Sequence, residues 1–268
     1  MKFQARSFRR LASMLGLLLA LLSALGAQTV QPNGSFGFLL STSFSNPSNQ
    51  GGAAILGLMN FDGAGHVRGP YTLEFGSGPQ VVQTINGTFT GTYSSTPDGT
   101  GSVTISLDNG VSLTHAMVIS DNGHRLDLVA TSCSGGFDLS TTVVAGVGVH
   151  AKGLVLKSVA ALKGAYGGQL AFSPQPSKSN FVASFDGAGN VTFSAAFVGV
   201  GPNAISDTYP GTYTVNFNGT GTITLAPTAN QSTQTFLFVM TNEGGPGLLL
   251  MQINRLGDGV SFGSARLQ

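Results

Sequence analysis

Two stretches of the chain repeat one another in order and in kind, and this duplication limits the fold more than any other feature of the sequence. The first runs Asp62-Gly63-Ala64-Gly65, then Gly91-Thr92-Tyr93, Asp98-Gly99-Thr100-Gly101 and Ser102-Val103-Thr104-Ile105-Ser106-Leu107. The second runs Asp186-Gly187-Ala188-Gly189, then Gly211-Thr212-Tyr213, Asn218-Gly219-Thr220-Gly221 and Thr222-Ile223-Thr224-Leu225. Thr92, Asp98 and Ile105 match Thr212, Asn218 and Leu225 at one offset of 120, whereas Asp62 and Asp186 differ by 124. A loop changed length while the hairpins did not, as a tandem structural repeat predicts.

Within each copy the periodicity is that of strands. Ile85, Gly87, Phe89, Gly91 and Tyr93 fall on one face, with Asn86, Thr88, Thr90 and Thr92 on the other, the signature of a half-buried strand. Val103, Ile105 and Leu107 alternate with Ser102, Thr104 and Ser106 in the same way. In the second copy Tyr209, Gly211, Tyr213, Val215 and Phe217 form the apolar face. Asp-Gly and Asn-Gly turns suit tight hairpins, because Asp and Asn bond nearby amides and Gly supplies positive φ. Glycine on an apolar face lets a strand coil sharply or leaves room for a neighbouring ring. Residues 45–52, polar and Gly-rich, are expected to form a loop.

Eight short strands in each half, joined by tight turns, predict an antiparallel meander. Closing each meander into an up-and-down β-barrel removes its exposed edges. The expected fold is therefore all-β, a tandem duplication of barrels of about eight strands each, with β-sandwiches as the alternative. A single outer-membrane barrel would call for aromatic girdles, and the chain has no Trp and five Tyr. The boundaries read as a first repeat over residues 28–151, a linker with a short helical turn over 152–164, and a second repeat over 165–268.

Residues 1–27 read as a secretory signal peptide. Lys2, Arg6, Arg9 and Arg10 precede an uncharged apolar run over 11–25, shorter than the ~20 residues a spanning helix needs. The small residues Gly26 and Ala27 then precede Gln28. Cleavage is expected between Ala27 and Gln28, with cleavage after Ala24 as the alternative, giving an exported protein, secreted or periplasmic, with no membrane span after cleavage. Four of the twelve Lys and Arg residues leave with the leader and none of the eleven Asp and Glu, so the formal charge moves from +1 to −3. No basic stripe remains for phosphate contacts, which argues against nucleic acid as a partner. Cys133 is the single cysteine, so no intrachain disulfide is available and it reads as a small buried hydrophobe.

The pattern Phe61-Asp62-Gly63-Ala64-Gly65-His66-Val67 and Phe185-Asp186-Gly187-Ala188-Gly189-Asn190-Val191, followed by the Gly-Thr-Tyr and Gly-x-Gly segments, resembles that of secreted duplicated Gly/Thr-rich β-proteins of environmental bacteria. That resemblance covers nearly all of the exported chain and implies no activity, since none is established for the group. The strand count is similar to that of avidin and lipocalin barrels in topology only, and the lipocalin Gly-x-Trp signature is excluded without Trp.

Chemistry is sparse. His66, His115, His124 and His150 are dispersed with no metal-ligand spacing, and Asp62 and Asp186 lack the alternating acids of a calcium loop. Asp127, Asp138, Asp207 and Glu74 are the acids outside obvious turns, and nothing pairs them as a glycosidase requires. No G-x-S-x-G elbow occurs. The reading is non-enzymatic, with no catalytic residue, cofactor or metal. As a binding or cell-envelope module it would place Phe89, Tyr93, Tyr209 and Tyr213 around a small apolar or carbohydrate ligand, since small barrels either fill with side chains or hold one small guest. The alternatives are a structural, surface-interacting protein with filled cores and, less favoured, a secreted carbohydrate hydrolase. Residues 113–119 and 248–253, apolar on both faces, suit a contact between the two repeats or between chains.

Overall fold

The computed structural model describes residues 30–46, 49–77, 80–135, 143–151, 158–173, 177–198, 205–226, 233–242, 244–253 and 260–268. The signal-peptide reading, with Ala27 and Gln28, lies outside the described residues, as does Asp138. The first half forms strands β1 (Asn33–Asn46), β2 (Asn49–Asp62), β3 (His66–Ser77), β4 (Gln80–Ser95), β5 (Thr100–Leu107), β6 (Ser112–Ser120), β7 (Arg125–Ser134) and β8 (Val143–His150). The second forms β9 (Lys163–Ser173), β10 (Lys178–Asp186), β11 (Asn190–Val198), β12 (Ile205–Val215), β13 (Thr220–Leu225), β14 (Gln234–Asn242), β15 (Pro246–Ile253) and β16 (Val260–Leu267).

Each set is a closed antiparallel barrel in which sequence neighbours pair and the last strand returns to the first. Phe36 faces His150 where β1 meets β8, and Tyr166 faces Leu267 where β9 meets β16. The all-β fold, with two eight-stranded barrels in tandem, is the one the duplication predicts, and the sandwich alternative falls away because neither sheet has a free edge.

The turn residues act as their chemistry dictates. Asp62 Oδ1 accepts from the amides of Ala64 and His66 at 2.7 and 3.0 Å, and Asp186 Oδ1 from Ala188 and Asn190 at 2.7 and 2.9 Å. Gly63, Gly65, Gly187 and Gly189 take the positive φ that these turns demand. In the following hairpins Asp98 and Asn218 each cap the amide of the threonine two residues on. The strand glycines serve backbone approach: a methyl on Gly91 would lie 2.0 Å from the Thr104 carbonyl oxygen across the β4–β5 ladder.

Two sequence expectations are corrected. Most of residues 45–52 lie in strands and not in a loop, because β1 runs to Asn46 and β2 starts at Asn49, with Ser43 paired to Gly52 and Asn46 to Asn49; residues 47–48 lie outside the described residues. Their polarity hid the pairing, and Gly52 is small because the second barrel packs there: a methyl on it would lie 2.4 Å from Ser173 Oγ. Phe217 does not extend the apolar face of β12. The strand ends at Val215, and Phe217 sits in the turn with 81% of its surface exposed.

Among the described residues, inward side chains pack into one core cluster in each barrel. Outward side chains of β1, β2, β14, β15 and β16 form a third apolar cluster between the barrels, built on Leu39, Ala54, Leu56 and Leu58 from the first and Val239, Leu249, Met251 and Val260 from the second. Ser173 Oγ donates to the Thr42 carbonyl oxygen across this contact at 2.9 Å. Residues 248–253 serve both faces, Leu248 and Leu250 inside the barrel and Leu249 and Met251 in the contact. Residues 113–119 do not reach it: Leu113, Met117 and Ile119 point inward, while Val118 is half exposed on the outer wall.

Candidate functional site

Phe89, Tyr93, Tyr209 and Tyr213 are all buried, each inside its barrel. Phe89 meets Phe38 edge to face at 5.7 Å. Tyr93 ends a column of rings, Phe36 on Phe61 at 5.4 Å and Phe61 on Tyr93 at 5.0 Å, each edge to face. The second barrel builds the same column from Tyr166, Phe185 and Tyr213 at 5.4 and 4.9 Å. Such contacts add about 0.5–1.5 kcal/mol each beyond burial.

Both columns end on a plug. Tyr93 Oη donates to the Pro32 carbonyl oxygen at 3.2 Å, and Tyr213 Oη lies 2.8 Å from the carbonyl oxygens of both Val159 and Leu162. Val159 opens a 3₁₀ turn, Val159–Ala161, that closes this end of the second barrel together with buried Leu162. Burial raises both hydroxyls above the ordinary phenol range, so they remain protonated donors. Tyr209 Oη donates instead to Asp207 at 3.0 Å.

Inside the first barrel a cavity of about 20 Å³ is lined by the apolar side chains of Leu40, Ala53, Ile55, Leu73, Leu113 and Val144, with Ser41 and Thr42. That is water-sized, against the roughly 300–1,000 Å³ of small-molecule sites. Larger concavities flank the contact between the barrels. One of about 300 Å³ is lined by Leu56, Pro70, Thr72, Asn86, Asn218 and Thr222 among others. Two more, of about 280 and 170 Å³, share Val147, Leu249 and Ser264, the first with Lys178 and the second with Arg125 and Arg266.

Titratable groups are spread across the fold. Glu74 is buried on the outer side of β3 beside Ala54 and accepts from Thr84 Oγ1. Asp127 pairs with Arg125 at 2.9 Å on β7, and Asp207 belongs to the other barrel. These three acids lie on strands that do not neighbour one another. Amides from His66 and Ala64 hold Asp62 below its usual range, and the Asn190 side chain does the same for Asp186, so turn bonding accounts for both. Asp98 is drawn down to about 2, chiefly by the Thr96 hydroxyl and then by Thr100.

His124 and His150 meet edge to face at 5.3 Å, His66 bonds Asp62, and His115 is buried inside the first barrel. Among the described residues no three His, Cys, Asp or Glu side chains come together as metal ligands. Cys133 is partly buried and packs against the first core.

Sequence reasoning found the second barrel's side of the contact, in residues 248–253, and missed the first barrel's. Its signal was present in residues 53–61, where Ala53, Ile55, Met59 and Phe61 serve the core while Ala54, Leu56 and Leu58 serve the contact. An apolar run on both faces of a strand marks burial on both.

No protein-family model and no curated protein matches the chain. Among solved structures it is similar to a protein of unknown function from the DUF3598 family of Nostoc punctiforme, at 12% identity over 88% of this chain and 96% of that one, with a TM-score of 0.28. It is also similar to the vaccine antigen transferrin binding protein B of Haemophilus parasuis, at 7% identity over 88% of this chain and 76% of that one, with a TM-score of 0.29. At those TM-scores neither likeness carries an argument about function.

Proposed function

We propose that the chain is an exported, non-enzymatic two-barrel module that works through its outer surface, as a binding or structural component of the cell envelope. The observation that supports this most is the packing of side chains, among the described residues, into one core cluster inside each barrel. Phe89, Tyr93 and Tyr213 spend their faces on other core rings, Tyr209 is buried in the second core, and the cavity described in the first barrel holds about one water. The chain is rich in Thr and Ser and only 9% charged, which favours neutral polar partners over nucleic acid. Export rests on the leader over residues 1–27. Dispersed acids and histidines support the non-enzymatic reading.

Native mass spectrometry of the chain from Gln28, purified from its own host and weighed before and after denaturation, tests this. A bare polypeptide mass is expected. A stoichiometric small molecule lost on unfolding would return the barrel interior to the front as the functional site. Export is tested by fusing residues 1–27 to a reporter enzyme that acts only outside the cytoplasm.

A further inference from the structure

The two barrels meet through unlike faces. The first presents the outer sides of β1 and β2, the second those of β14 and β15 with β16. The repeat maps β14 and β15 onto β6 and β7: Thr220 faces Val239 as Thr100 faces Val118, and Val239 faces Leu249 as Val118 faces Asp127. It likewise maps β1 and β2 onto β9 and β10, so that Leu39 opposite Leu56 becomes Gln169 opposite Asn180, and Ser41 opposite Ala54 becomes Ala171 opposite Lys178. The two faces overlap at their margins, where β8 brings Val147 and β9 brings Ser173 into the contact, but their centres differ: Val118 and Val129 on β6 and β7 of the first barrel, and Asn180 and Val182 on β10 of the second, stay exposed. A head-to-tail contact between like units goes on adding units unless something stops it.

Both open faces carry a stop. Val118 keeps the side chain of Val239, yet it is 49% exposed where Val239 is 1%. Beside it Asp127 stands in place of Leu249, held by the Arg125 guanidinium. On the second barrel Gln169, Asn180 and Lys178 replace Leu39, Leu56 and Ala54, with Gln169 and Lys178 bordering the groove beside the built contact, and Gln169 Nε2 donates to Asn180 Oδ1 at 3.0 Å. Gly167 takes the place of Gly37. A methyl on Gly37 would lie 2.7 Å from Val239 Cγ1, the neighbouring barrel's side chain, whereas one on Gly167 would lie 2.5 Å from Nε2 of Gln268 in its own barrel. Burying a charge or an unmatched amide in such a contact is unfavourable, as it is for the polar outer faces that terminate repeat arrays.

We propose that Asp127 on the first barrel and Gln169, Lys178 and Asn180 on the second cap a head-to-tail barrel contact that would otherwise recruit a second copy of this chain. The contact built inside the chain is the template for the one the caps prevent. This holds whatever the outer surface meets after export.

Two sets of substitutions test it in the full mature chain. Asp127→Leu opens the first face, and Gln169→Leu with Lys178→Ala and Asn180→Leu opens the second. Neither face fits itself, so each variant alone is expected to sediment as a monomer, like the wild type. Mixed, they are expected to form a one-to-one complex, and the four substitutions in one chain to give oligomers that grow with concentration, with a roughly twofold or greater rise in average mass. Self-association of either variant alone would reveal general stickiness and overturn the proposal. A folded four-site chain that stays monomeric would overturn it too, as would a wild type that assembles through these faces. Should Asp127→Leu fail to fold, as judged by its melting curve, Asp127→Ala opens the same face with less bulk and carries the same tests.

Discussion

Phe38 lies directly across the β1–β2 ladder from Gly57, and the second barrel holds the same pair inverted, with Gly168 across from Phe181. The exchange spreads to the neighbouring strands. In the first barrel Phe38 and Phe89 fill the middle of the core, and Gly69 and His115 stand where the second barrel has Phe193 and Phe236. In the second, Phe181, Phe193 and Phe236 stack at 4.8 and 5.5 Å, with Phe181 across from Gly168. One closed barrel thus accepts two different fillings, because the volume missing at Gly57 and Gly69 in one, and at Gly168 in the other, is made up by rings elsewhere in the same core.

Gly57→Ala should therefore be costly although it adds one methyl. That methyl would lie 2.3 Å from the Pro70 carbonyl oxygen and 2.7 Å from Phe38 Cε1, and backbone cannot yield as a flexible side chain would. A loss of about 1–3 kcal/mol is expected, and a similar loss for Gly168→Ala, which meets the Ser264 carbonyl oxygen at 2.2 Å. Urea midpoints at unchanged slope measure it. An unchanged midpoint in both would contradict the paired arrangement.

Tyr213→Phe should cost more than Tyr93→Phe. The Tyr213 hydroxyl serves two plug carbonyls at 2.8 Å, and the Tyr93 hydroxyl serves one at 3.2 Å. Removing a buried donor costs about 1–3 kcal/mol where its acceptor is left unsatisfied; the Val159 carbonyl keeps the Leu162 amide, so for Tyr213 the loss falls on the Leu162 carbonyl. Faster amide exchange at Ala161 and Leu162, whose amides close the 3₁₀ turn on Ser158 and Val159, should accompany the loss for Tyr213→Phe alone.

His115 makes the first barrel sensitive to acid. Its ring is fully buried with neither nitrogen bonded among the described residues, and burial pulls its pKa down from 6.5 to about 4. The unfolded chain takes up the proton first, so stability falls as pH drops from about 6.5 towards about 4 and this effect levels off below. Integrated over that window the loss is about 3 kcal/mol. His115→Leu should remove this component while leaving the carboxylate titrations in place. The readout is the difference between the two proteins' urea midpoints at pH 7 and pH 4.5. A constant difference would mean that the buried ring does not titrate in this range.

Turns and barrel topology were legible because their chemistry is local. Asp62, Gly63 and Gly65 specify a turn whatever surrounds them, and alternation such as Val103, Ile105, Leu107 assigns faces without knowing the partner strand. Local reading failed where the deciding neighbour is distant. Most of residues 45–52 are polar yet paired, since the reason for Gly52 is Ser173 in the other barrel. Phe217 continues a two-residue alternation past the point where the Asn216 to Gly219 turn has ended the strand. Phe89 and Tyr209 read equally well as pocket walls or core, because the glycines beside them admit either a guest or a neighbouring backbone. Only coordinates show that the carbonyl oxygens of Thr104, at Gly91, and of Thr224, at Gly211, occupy that room.

The contact between the barrels sets how the protein unfolds. Leu56 is buried there with Leu39 and Leu58 on one side and Val239, Leu249 and Met251 on the other, so the two barrels bury apolar surface that neither can cover alone. Cooperative unfolding of the whole chain in one calorimetric transition is the expected behaviour of the wild type. Leu56→Asp places a charge in that cluster with no cation among its members, a change of several kcal/mol when a charge is buried unpaired. The substituted side chain points away from the core of the first barrel, so the barrel can persist if its neighbour swings away. The expected result is two transitions in place of one, with the second barrel, whose β14–β16 wall loses its cover, melting first. A single transition shifted as a whole to lower temperature would mean instead that the first barrel cannot stand without its neighbour and that the duplicated unit is the smallest folding unit.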